Sequence, residues 1–386
     1  MEKMPDSLPE MKKQDELEPN KFEEKKSISP SDKTRSVWIV ILACMLLVSF
    51  ACIGWLLFSR RDDLKINRDS MDSVIPRTEE KSKTSAENLS DGVIVNDSEI
   101  DLTNYDSNIT ITASGEHTLS GILNYSIFVD SDGPVTLKLN GITVSSSESS
   151  AIANRSTNSL DIILMENTTN TLTDGGESEF DGAIFSNGPL SISSLGEEKS
   201  FGTLIVSGRQ DGGEGIATNN APLSINSGKI MITSNDDGLN AGGDNAGKLT
   251  INGGILWIRA EGDGIDSNNS IEINGGNILA MSNSSDNSAI DSDKGVTVNG
   301  GNLVALGSGM LEAPAEGSSQ KFLSAELSRT VALGSTVYVK NTDTNKIVNF
   351  KAESAFKTLV FSVPSLETGN YEISVDGQVV GNAVIK

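Results

Sequence analysis

The stretch GDGIDSNNSIEINGGNILAM (residues 262–281) contains the features that decide the fold. A turn motif, DGID, is followed by two short runs of alternating apolar residues, and Asn-Gly-Gly separates the two runs. Alternation of apolar and polar residues indicates strands, while Gly, Asn and Asp mark the turns between them. The stretch therefore predicts a unit of strand, turn and strand without a helix.

The Asn-Gly turn of this unit recurs along the chain. Self-similarity at a period in the low twenties predicts a solenoid, and a unit with strands but no helix corresponds to one coil of a parallel β-helix. Successive coils stack about 4.8 Å apart, so equivalent side chains lie above one another. The turn asparagines are therefore predicted to form an internal amide ladder at a bend. They are spaced 26, 22 and 25 residues apart, at Asn226, Asn252, Asn274 and Asn299.

A second motif precedes the strands of each coil, as EGIA, DGLN, DGID and SAID. Stacked coils place its first and fourth residues in two columns, in which neighbouring side chains are about 5 Å apart. Carboxylates at that distance repel each other, and a calcium ion prefers the oxygen ligands that they and asparagine offer. The predicted metal ligands are Asp236, Asp237, Asn240, Asp263, Asp266, Asp291 and Asp293.

Turn chemistry offers a second interpretation of the same motif. Asp and Asn before Gly are common turn residues, and a solenoid needs a turn at each corner, so Asx-turns alone would account for DGLN and DGID. One coil also departs from the acidic pattern, because EGIA carries Ala217 where later coils carry Asn240, Asp266 and Asp291. Zinc and copper fit poorly, since no His or Cys occurs near the motif.

The composition excludes several classes of function. The chain of 386 residues has a formal net charge of −23, and residues 91–386 contain 37 of its 53 acidic residues but 15 of its 30 basic residues. Such a domain repels phosphate backbones, which argues against binding to nucleic acid. The single histidine, His117, cannot form a His-rich metal site. Both cysteines, Cys44 and Cys52, lie in an apolar run, so no disulfide is expected in the folded part.

Five segments are predicted from the distribution of charged and apolar residues. The 22 residues VWIVILACMLLVSFACIGWLLF contain no charge and suffice for one transmembrane helix. Basic residues flank this helix equally on both sides, so charge does not orient it. The segments are a disordered cytoplasmic tail (1–36), the transmembrane helix (37–58), a flexible stalk (59–90), a β-helix domain (91–310) and a β-rich C-terminal cap (311–386).

Residues 91–386 resemble a family of secreted bacterial carbohydrate-binding domains. The similarity is carried by ITASGEHTLSG (111–121), VTLKLNGITV (135–144), AIFSNGPLSIS (183–193), DDGLNA (236–241), GDGIDSNNSIEINGGNI (262–278), GSGM (307–310) and FKTLVFSVPSLETGNYEISV (356–375). The resemblance implies a right-handed parallel β-helix similar to that of pectate lyases, with bound calcium and affinity for cellulose or acidic plant polysaccharide. It maps the calcium ligands to Asp236, Asp237, Asp263 and Asp266, with Asn240 nearby.

Three functions remain open from the sequence. The first is a membrane-anchored, extracellular, calcium-dependent protein that binds acidic, pectin-like polysaccharide and, as a second ligand, cellulose. The second is a polysaccharide lyase, whose base would be Arg259 or Lys294, with Arg209 as a third candidate. The third is a surface adhesin or scaffold without catalysis. Trp257 and Arg259 are the candidate carbohydrate contacts, although Trp257 could equally belong to the core. External placement follows from where calcium and polymeric glycans occur.

Overall fold

The computed structural model describes residues 12–13, 92–176 and 179–385. In these ranges the chain is all-β, with two short 3-10 helices, Leu102–Asn104 and Glu198–Ser200, and no α-helix. The predicted all-β class is confirmed. No helix in this part of the chain is long and apolar enough to cross a membrane. The predicted transmembrane helix (37–58) and stalk (59–90) lie outside the described residues.

Three stacks of parallel strands make up the solenoid, and a typical coil contributes one short strand to each stack. Stack 1 is an eight-stranded sheet. It contains Val93–Ile94, Ile109–Ile111, Ile127–Val129, Ile152–Asn154, Ile184–Ser186, Ile216–Asn219, Leu239–Gly242 and Ile265–Ser267.

Stacks 2 and 3 are the two parts of a larger sheet, which starts at Glu99–Asp101 and continues through two long strands, Gly115–Leu123 and Val135–Ser145. Stack 2 then contains Leu160–Leu164, Leu190–Ser194, Leu223–Ile225, Leu249–Ile251, Ile271–Ile273 and Val296–Val298. Stack 3 contains Thr169–Thr173, Thr203–Ser207, Lys229–Ser234, Ile255–Ala260, Asn277–Ser282 and Asn302–Gly307.

Apolar side chains that point into the coil hold the stacks together. In stack 2, for example, Ile192, Ile225 and Ile251 lie in register on successive coils and are fully buried. Each buried side chain of this size contributes about 1.5–3 kcal/mol relative to an exposed one. The register is fixed because a slip by one residue would turn the whole inward set toward solvent.

The predicted amide ladder forms between stacks 2 and 3. The Nδ2 of Asn252 donates to the Oδ1 of Asn226 at 2.8 Å, and Asn274 and Asn299 continue the chain of hydrogen bonds at 3.0 and 2.9 Å. The ladder is exposed and not internal as expected, because its asparagines follow the last inward residue of each strand and point out of the turn. The second glycine of the turn has a positive φ, +98° at Gly254.

The C-terminal residues add antiparallel strands. Phe356–Ser362 pairs with Asn302–Gly307, the last strand of stack 3, and Leu323–Val331 pairs with Phe356–Ser362. A separate five-stranded antiparallel sheet, here called the cap sheet, completes this region. Its strands are Lys12–Lys13, Thr336–Asn341, Ile347–Lys351, Gly369–Val375 and Gln378–Ile385.

Two residues of the predicted disordered tail (1–36) therefore belong to a strand. Lys12–Lys13 pairs antiparallel with Ile347–Lys351 at the edge of the cap sheet, because that edge strand has unpaired backbone groups on its outer side. The expectation of disorder is wrong for these two residues, and the rest of the tail lies outside the described residues.

Candidate metal and carbohydrate site

One row of outward side chains on stack 1, here called the outer column, changes character along the solenoid. The strands of stack 1 hold Phe128, Ala153, Phe185, Ala217, Asn240 and Asp266 in continuous register. The first four residues form a small apolar cluster with Phe180, separate from the inward core. Asp291 extends the column by one coil, since its backbone N–H donates to the Ile265 carbonyl and its carbonyl accepts from Ser267. The outer column thus has an apolar half and an acidic half.

The acidic half brings three carboxylates together. Asp263, Asp266 and Asp291 each offer an oxygen atom, and these atoms lie within 4.8 Å of one another. Calcium ligands stand about 2.3–2.6 Å from the ion, so two ligands on opposite sides are about 5 Å apart. The spacing of the three carboxylates fits one divalent cation of that size.

Backbone hydrogen bonds fix the orientation of the neighbouring acids. The Asp263 N–H donates to Oδ1 of Asp237 at 2.7 Å, and the Ser288 N–H donates to Oδ1 of Asp263 at 2.5 Å. Each of these carboxylates therefore uses one oxygen to bind the next coil. The second oxygen of Asp237 accepts from Asn240, as described below, whereas that of Asp263 belongs to the group of three carboxylates. Glu214 lies one coil before Asp237, as the backbone bond from Gly215 to the Asp237 carbonyl shows.

Asn240, in the outer column, contacts two acids of the column formed by the first residues of the motif. Its Nδ2 donates to Oε1 of Glu214 at 2.6 Å and to Oδ2 of Asp237 at 3.0 Å. Its carbonyl oxygen, Oδ1, is buried and has no hydrogen-bond partner. A buried acceptor without a donor is costly, about 1–3 kcal/mol. A cation or an ordered water beside this oxygen would satisfy it.

Burial and mutual repulsion raise the pKa values of these acids. Burial, followed by the charges of Asp266 and its neighbours, raises the pKa of Asp237 to about 8. Burial and the charge of Asp263 raise the pKa of Asp266 to about 7, and burial with the charge of Asp291 raises the pKa of Asp263 to about 6. Burial also raises the pKa of Glu214 well above its usual range. The site holds more negative charge than the protein itself neutralises.

Two predicted ligands lie at the margins of this cluster. Asp236 is half-buried, and burial together with the charge of Asp181 raises its pKa. Asp293 is exposed, and its backbone N–H donates to the Ser267 carbonyl. Its charge contributes to the raised pKa of Asp266. Both acids add negative charge to the site.

Glu312 is a member of the site that the repeat does not indicate. Its Oε2 accepts a hydrogen bond from the Ser292 N–H at 2.7 Å, and its side chain also bonds with that of Asp291. Burial and this contact raise the pKa of Glu312 to about 7. Glu312 comes from the segment after the last coil, which has no counterpart in earlier coils, so coil alignment gave no signal for it.

Asp181 is the second acid that the sequence did not predict, and it lies at the other end of the acidic half, beside the apolar half. It lies in the loop after Thr169–Thr173 and forms an ion pair with Arg209 at 2.9 Å. Arg209 is buried and also pairs with Asp174 and Asp211, at 3.5 and 3.2 Å. This arginine neutralises the acids beside the apolar half. It is thereby engaged with three carboxylates, which argues against the predicted role of Arg209 as a base.

The aromatic candidate for sugar stacking is covered. Trp257 points out of the coil on stack 3, in register with Met231 and Leu279, but it is 4% exposed because the C-terminal strands pack over it. The prediction that Trp257 contacts carbohydrate is therefore wrong for this arrangement, since a sugar ring needs an exposed aromatic face. Arg259 packs against Trp257, 5.0 Å from its ring centre, and donates to the Glu353 carbonyl at 3.0 Å. These contacts hold the guanidinium against Trp257 and the C-terminal region, which argues against the predicted role of Arg259 as a base.

Lys294 is placed differently from the two arginines. Its side chain is exposed, and its backbone N–H donates to the Asn269 carbonyl. Lys294 lies three residues after Asp291, near the end of the acidic half. The only histidine, His117, is buried far earlier in the chain, where its ring nitrogens lie 2.8 and 3.1 Å from the carbonyl oxygens of Asp97 and Ala113.

The fold and this acid-lined face define the class: an all-β solenoid that presents carboxylate and amide oxygens in rows. A family model of carbohydrate-binding domain-containing proteins matches residues 105–356, and the chain belongs to this family. No curated protein matches the chain significantly. Among solved structures, the polysaccharide lyase-like protein from C. thermocellum, in its gadolinium derivative, is 26% identical with a TM-score of 0.40, over 55% of this chain and 89% of that one.

Proposed function

We propose that this chain is a calcium-dependent protein that binds acidic, pectin-like polysaccharide through the acidic half of the outer column. The observation that carries the proposal is the group of Asp263, Asp266 and Asp291, whose oxygens lie within 4.8 Å of one another. Among the described residues, no Lys or Arg forms an ion pair with any of the three. Carboxylates held together without a protein cation have high affinity for a divalent ion.

The ligand set favours calcium over other metals. Asp263, Asp266 and Asp291 offer carboxylate oxygens, Glu312 is in contact with Asp291, and the carbonyl oxygen of Asn240 is buried without a partner. Oxygen-only ligands suit calcium, whereas zinc and copper prefer the nitrogen and sulfur ligands that are missing here. Bound calcium supplies the positive charge that an anionic ligand needs at this face.

The net charge explains why an acidic ligand needs a bound cation at this face. Residues 91–386 contain 37 acidic and 15 basic residues, so a polyanion is repelled by most of this surface. Uronate carboxylates complete the coordination of an ion that the protein ligates on one side only, because calcium takes six to eight oxygen ligands. The family of the chain supports a carbohydrate as the ligand. The right-handed course of the β-helix is part of the same proposal, and it rests on the family resemblance.

Calcium titration by calorimetry on the full chain tests the proposal. Asp266→Asn removes one carboxylate at nearly constant volume and is expected to weaken calcium binding at least about tenfold, since each such charge contributes more than about 1.4 kcal/mol to binding a divalent ion. Binding to polygalacturonate in pull-down assays should require calcium and fall in parallel. Asp130→Asn is the matched control, because Asp130 is an exposed acid beside the apolar half. Equal calcium affinity in Asp266→Asn and the wild type would refute the site.

The same samples separate binding from catalysis. A lyase produces unsaturated uronides that absorb in the ultraviolet, and Lys294 is the remaining basic candidate near the acids. Product formation that Lys294→Ala abolishes would replace the binding function with a lyase. Absence of glycan binding with and without calcium would instead favour an adhesin or scaffold.

Anchoring in a membrane, with the solenoid outside the cell, is a further part of the proposal. It rests on the apolar residues 37–58 and on the supply of calcium and polysaccharide outside the cell. The pairing of Lys12–Lys13 with Ile347–Lys351 counts against it within one chain, since a single span would separate these segments. Protease protection of the N-terminal tail in sealed vesicles tests the topology, and a tail digested together with the solenoid would overturn it.

A further inference from the structure

A single connecting segment closes two of the three stacks at the C-terminal end of the solenoid. Residues 308–322, here called the end segment, join Asn302–Gly307, the last strand of stack 3, to Leu323–Val331, and they contain neither helix nor strand. The last coil of a solenoid exposes strand edges whose backbone groups need partners. Phe356–Ser362 supplies these partners at stack 3, and the end segment supplies them at stacks 1 and 2.

The attachment of the end segment to stack 2 uses uncharged groups. The backbone N–H of Ala315 donates to the Val296 carbonyl at 2.7 Å, and the Val298 N–H donates to Oγ of Ser318 at 3.0 Å. The backbone N–H of Gln320 donates to the Val298 carbonyl at 3.0 Å. These bonds join neutral donors to neutral acceptors, so they form with or without a metal ion.

The attachment to stack 1 is a carboxylate that lies against another carboxylate. Oε2 of Glu312 accepts from the Ser292 N–H at 2.7 Å, and the same side chain contacts Asp291, one of the three grouped acids. Among the residues that the structure describes, no Lys or Arg forms an ion pair with Glu312. Two carboxylates in contact repel each other unless a proton or a cation lies between them. This attachment therefore depends on a cation, unlike the attachment to stack 2.

Little apolar burial holds the end segment in place. Within residues 310–320 only Pro314 is buried, and the side chains of Met310 and Leu311 are 54% and 37% exposed. Segments with few buried apolar contacts open locally at a small cost in free energy. The polar contacts at stacks 1 and 2 therefore decide whether the end segment stays closed.

We infer that calcium fastens the end segment to the last coil through Glu312, so that metal binding and closure of the solenoid end form one coupled equilibrium. The inference rests on the proposed calcium site and adds a conformational role to it. A ligand that binds the closed arrangement more tightly shifts the equilibrium toward closure, and such coupling is reciprocal. A change that loosens the end segment at stack 2 therefore weakens calcium binding, although it touches none of the acids.

Hydrogen–deuterium exchange of the full chain, in EDTA and in saturating calcium at pH 8, tests the effect of the metal on the segment. The amides of residues 310–320 should exchange at least about tenfold more slowly with calcium. Glu312→Gln removes the charge and keeps the hydrogen bond from Ser292 through its amide oxygen. In this variant exchange of the segment should no longer respond to calcium. Glu316→Gln is the matched control, an exposed acid of the same segment whose response should stay intact.

Calcium titration by calorimetry tests the reciprocal effect. Nε2 of Gln320 donates to the Gly301 carbonyl and to Oγ of Ser362, both at 2.8 Å. Gln320→Ala removes these two bonds and should weaken calcium binding about two- to fivefold. Gln378→Ala is the matched control, because Gln378 is an exposed glutamine of the cap sheet, and its calcium affinity should equal that of the wild type.

The outcomes separate this inference from the proposed function. Slower exchange with calcium in the wild type and in Glu316→Gln, but not in Glu312→Gln, together with weaker calcium binding in Gln320→Ala, supports the coupling. If calcium binds to the wild type and exchange of residues 310–320 does not change, the coupling is refuted and the proposed function stands. Equal protection by calcium in Glu312→Gln and the wild type would also overturn it. If no calcium binds under any condition, the proposed function fails and this inference fails with it.

Discussion

The two halves of the outer column share one backbone arrangement and differ in how their side chains are satisfied. In the apolar half, Phe128 and Phe185 stand on coils of the same register as those that carry Asn240 and Asp266. Phe180 covers them, with ring centres 6.1 Å from Phe128 and 5.4 Å from Phe185. The protein thus completes this half with its own loop.

In the part of the chain that the structure describes, the acidic half has no comparable aromatic cover. Near the apolar half, the guanidinium of Arg155 lies 3.5 Å from the Phe128 ring centre, and Arg209 neutralises Asp174 and Asp181. Among the described residues, no basic side chain does the same for Asp263, Asp266 or Asp291. The comparison shows that a solenoid can repeat a backbone position and change only the side chain. The apolar half serves stability, and under the proposal above the acidic half binds a ligand from outside.

Removing Phe128, the aromatic anchor of the apolar half, should have the largest effect on stability. Phe128 is fully buried between Phe180 and Arg155, so Phe128→Ala creates a cavity and is expected to lower the free energy of unfolding by about 3–5 kcal/mol. Chemical denaturation of the full chain measures this loss. Tyr125→Ala is the control, since Tyr125 is 40% exposed and should change stability by less than about 1 kcal/mol.

Calcium affinity of the folded Phe128→Ala chain should stay the same. Distant sites without shared partners act independently, and the anchor lies several coils from Asp266. A loss of calcium affinity as large as the loss of stability would show that the two halves are coupled and do not have separate roles.

The register of the outer column could be predicted from the sequence. The DG motif and the Asn-Gly turn recur at a fixed period, and inward residues such as Ile265 fix which neighbours point outward. Alignment of the coils therefore put Asn240 next to Asp266, as the structure does. Ala217 was recognised as a break in the acidic pattern, and it is buried with Phe185 in the apolar half.

The contacts made by segments outside the repeat could not be predicted. Glu312 and Asp181 reach the acids from loops that have no equivalent in other coils. Trp257 points outward, as alternation with Leu256 and Ile258 requires, yet the C-terminal strands bury it. The ladder asparagines were expected inside, but their side chains extend from the turn into solvent. Periodicity determines which side chains share a row, whereas the cover over that row depends on parts of the chain without a period.

The next prediction, of intermediate size, concerns the pH dependence of stability, to which the acidic half should contribute and the apolar half should not. Burial raises the pKa of Asp237 to about 8 and that of Asp266 to about 7. The ordinary value is about 4, so between about pH 4 and 8 the metal-free folded state binds protons that the unfolded state has released. Its stability therefore falls as the pH rises through this range.

Calcium should reverse that trend, because it replaces protons on ligands that must be ionised. Melting temperatures of the full chain, in EDTA and in calcium from pH 5 to 9, check both statements. Asp266→Asn should flatten part of the slope in EDTA, whereas Phe128→Ala should lower the whole curve without changing its slope. A melting temperature in EDTA that rises over this range would contradict the assignment of buried, uncompensated acids.

The smallest expected effect concerns the edge of the acidic half. Glu312 is in contact with Asp291 and accepts from the Ser292 N–H, and Gln can keep that hydrogen bond through its amide oxygen. Glu312→Gln therefore removes a partly exposed charge and little else, and it is expected to weaken calcium binding about two- to fivefold. Calorimetry at pH 8, where Glu312 is mostly ionised, measures this change. Glu316→Gln, four residues later and exposed, is the control.

If the two variants have equal affinity, Glu312 lies outside the metal site, and the acidic half ends at Asp291. If Glu312→Gln weakens binding more than Asp266→Asn, the ion is centred on the last coil and its loop, and the acidic half is a site at the end of the solenoid and not a row along it.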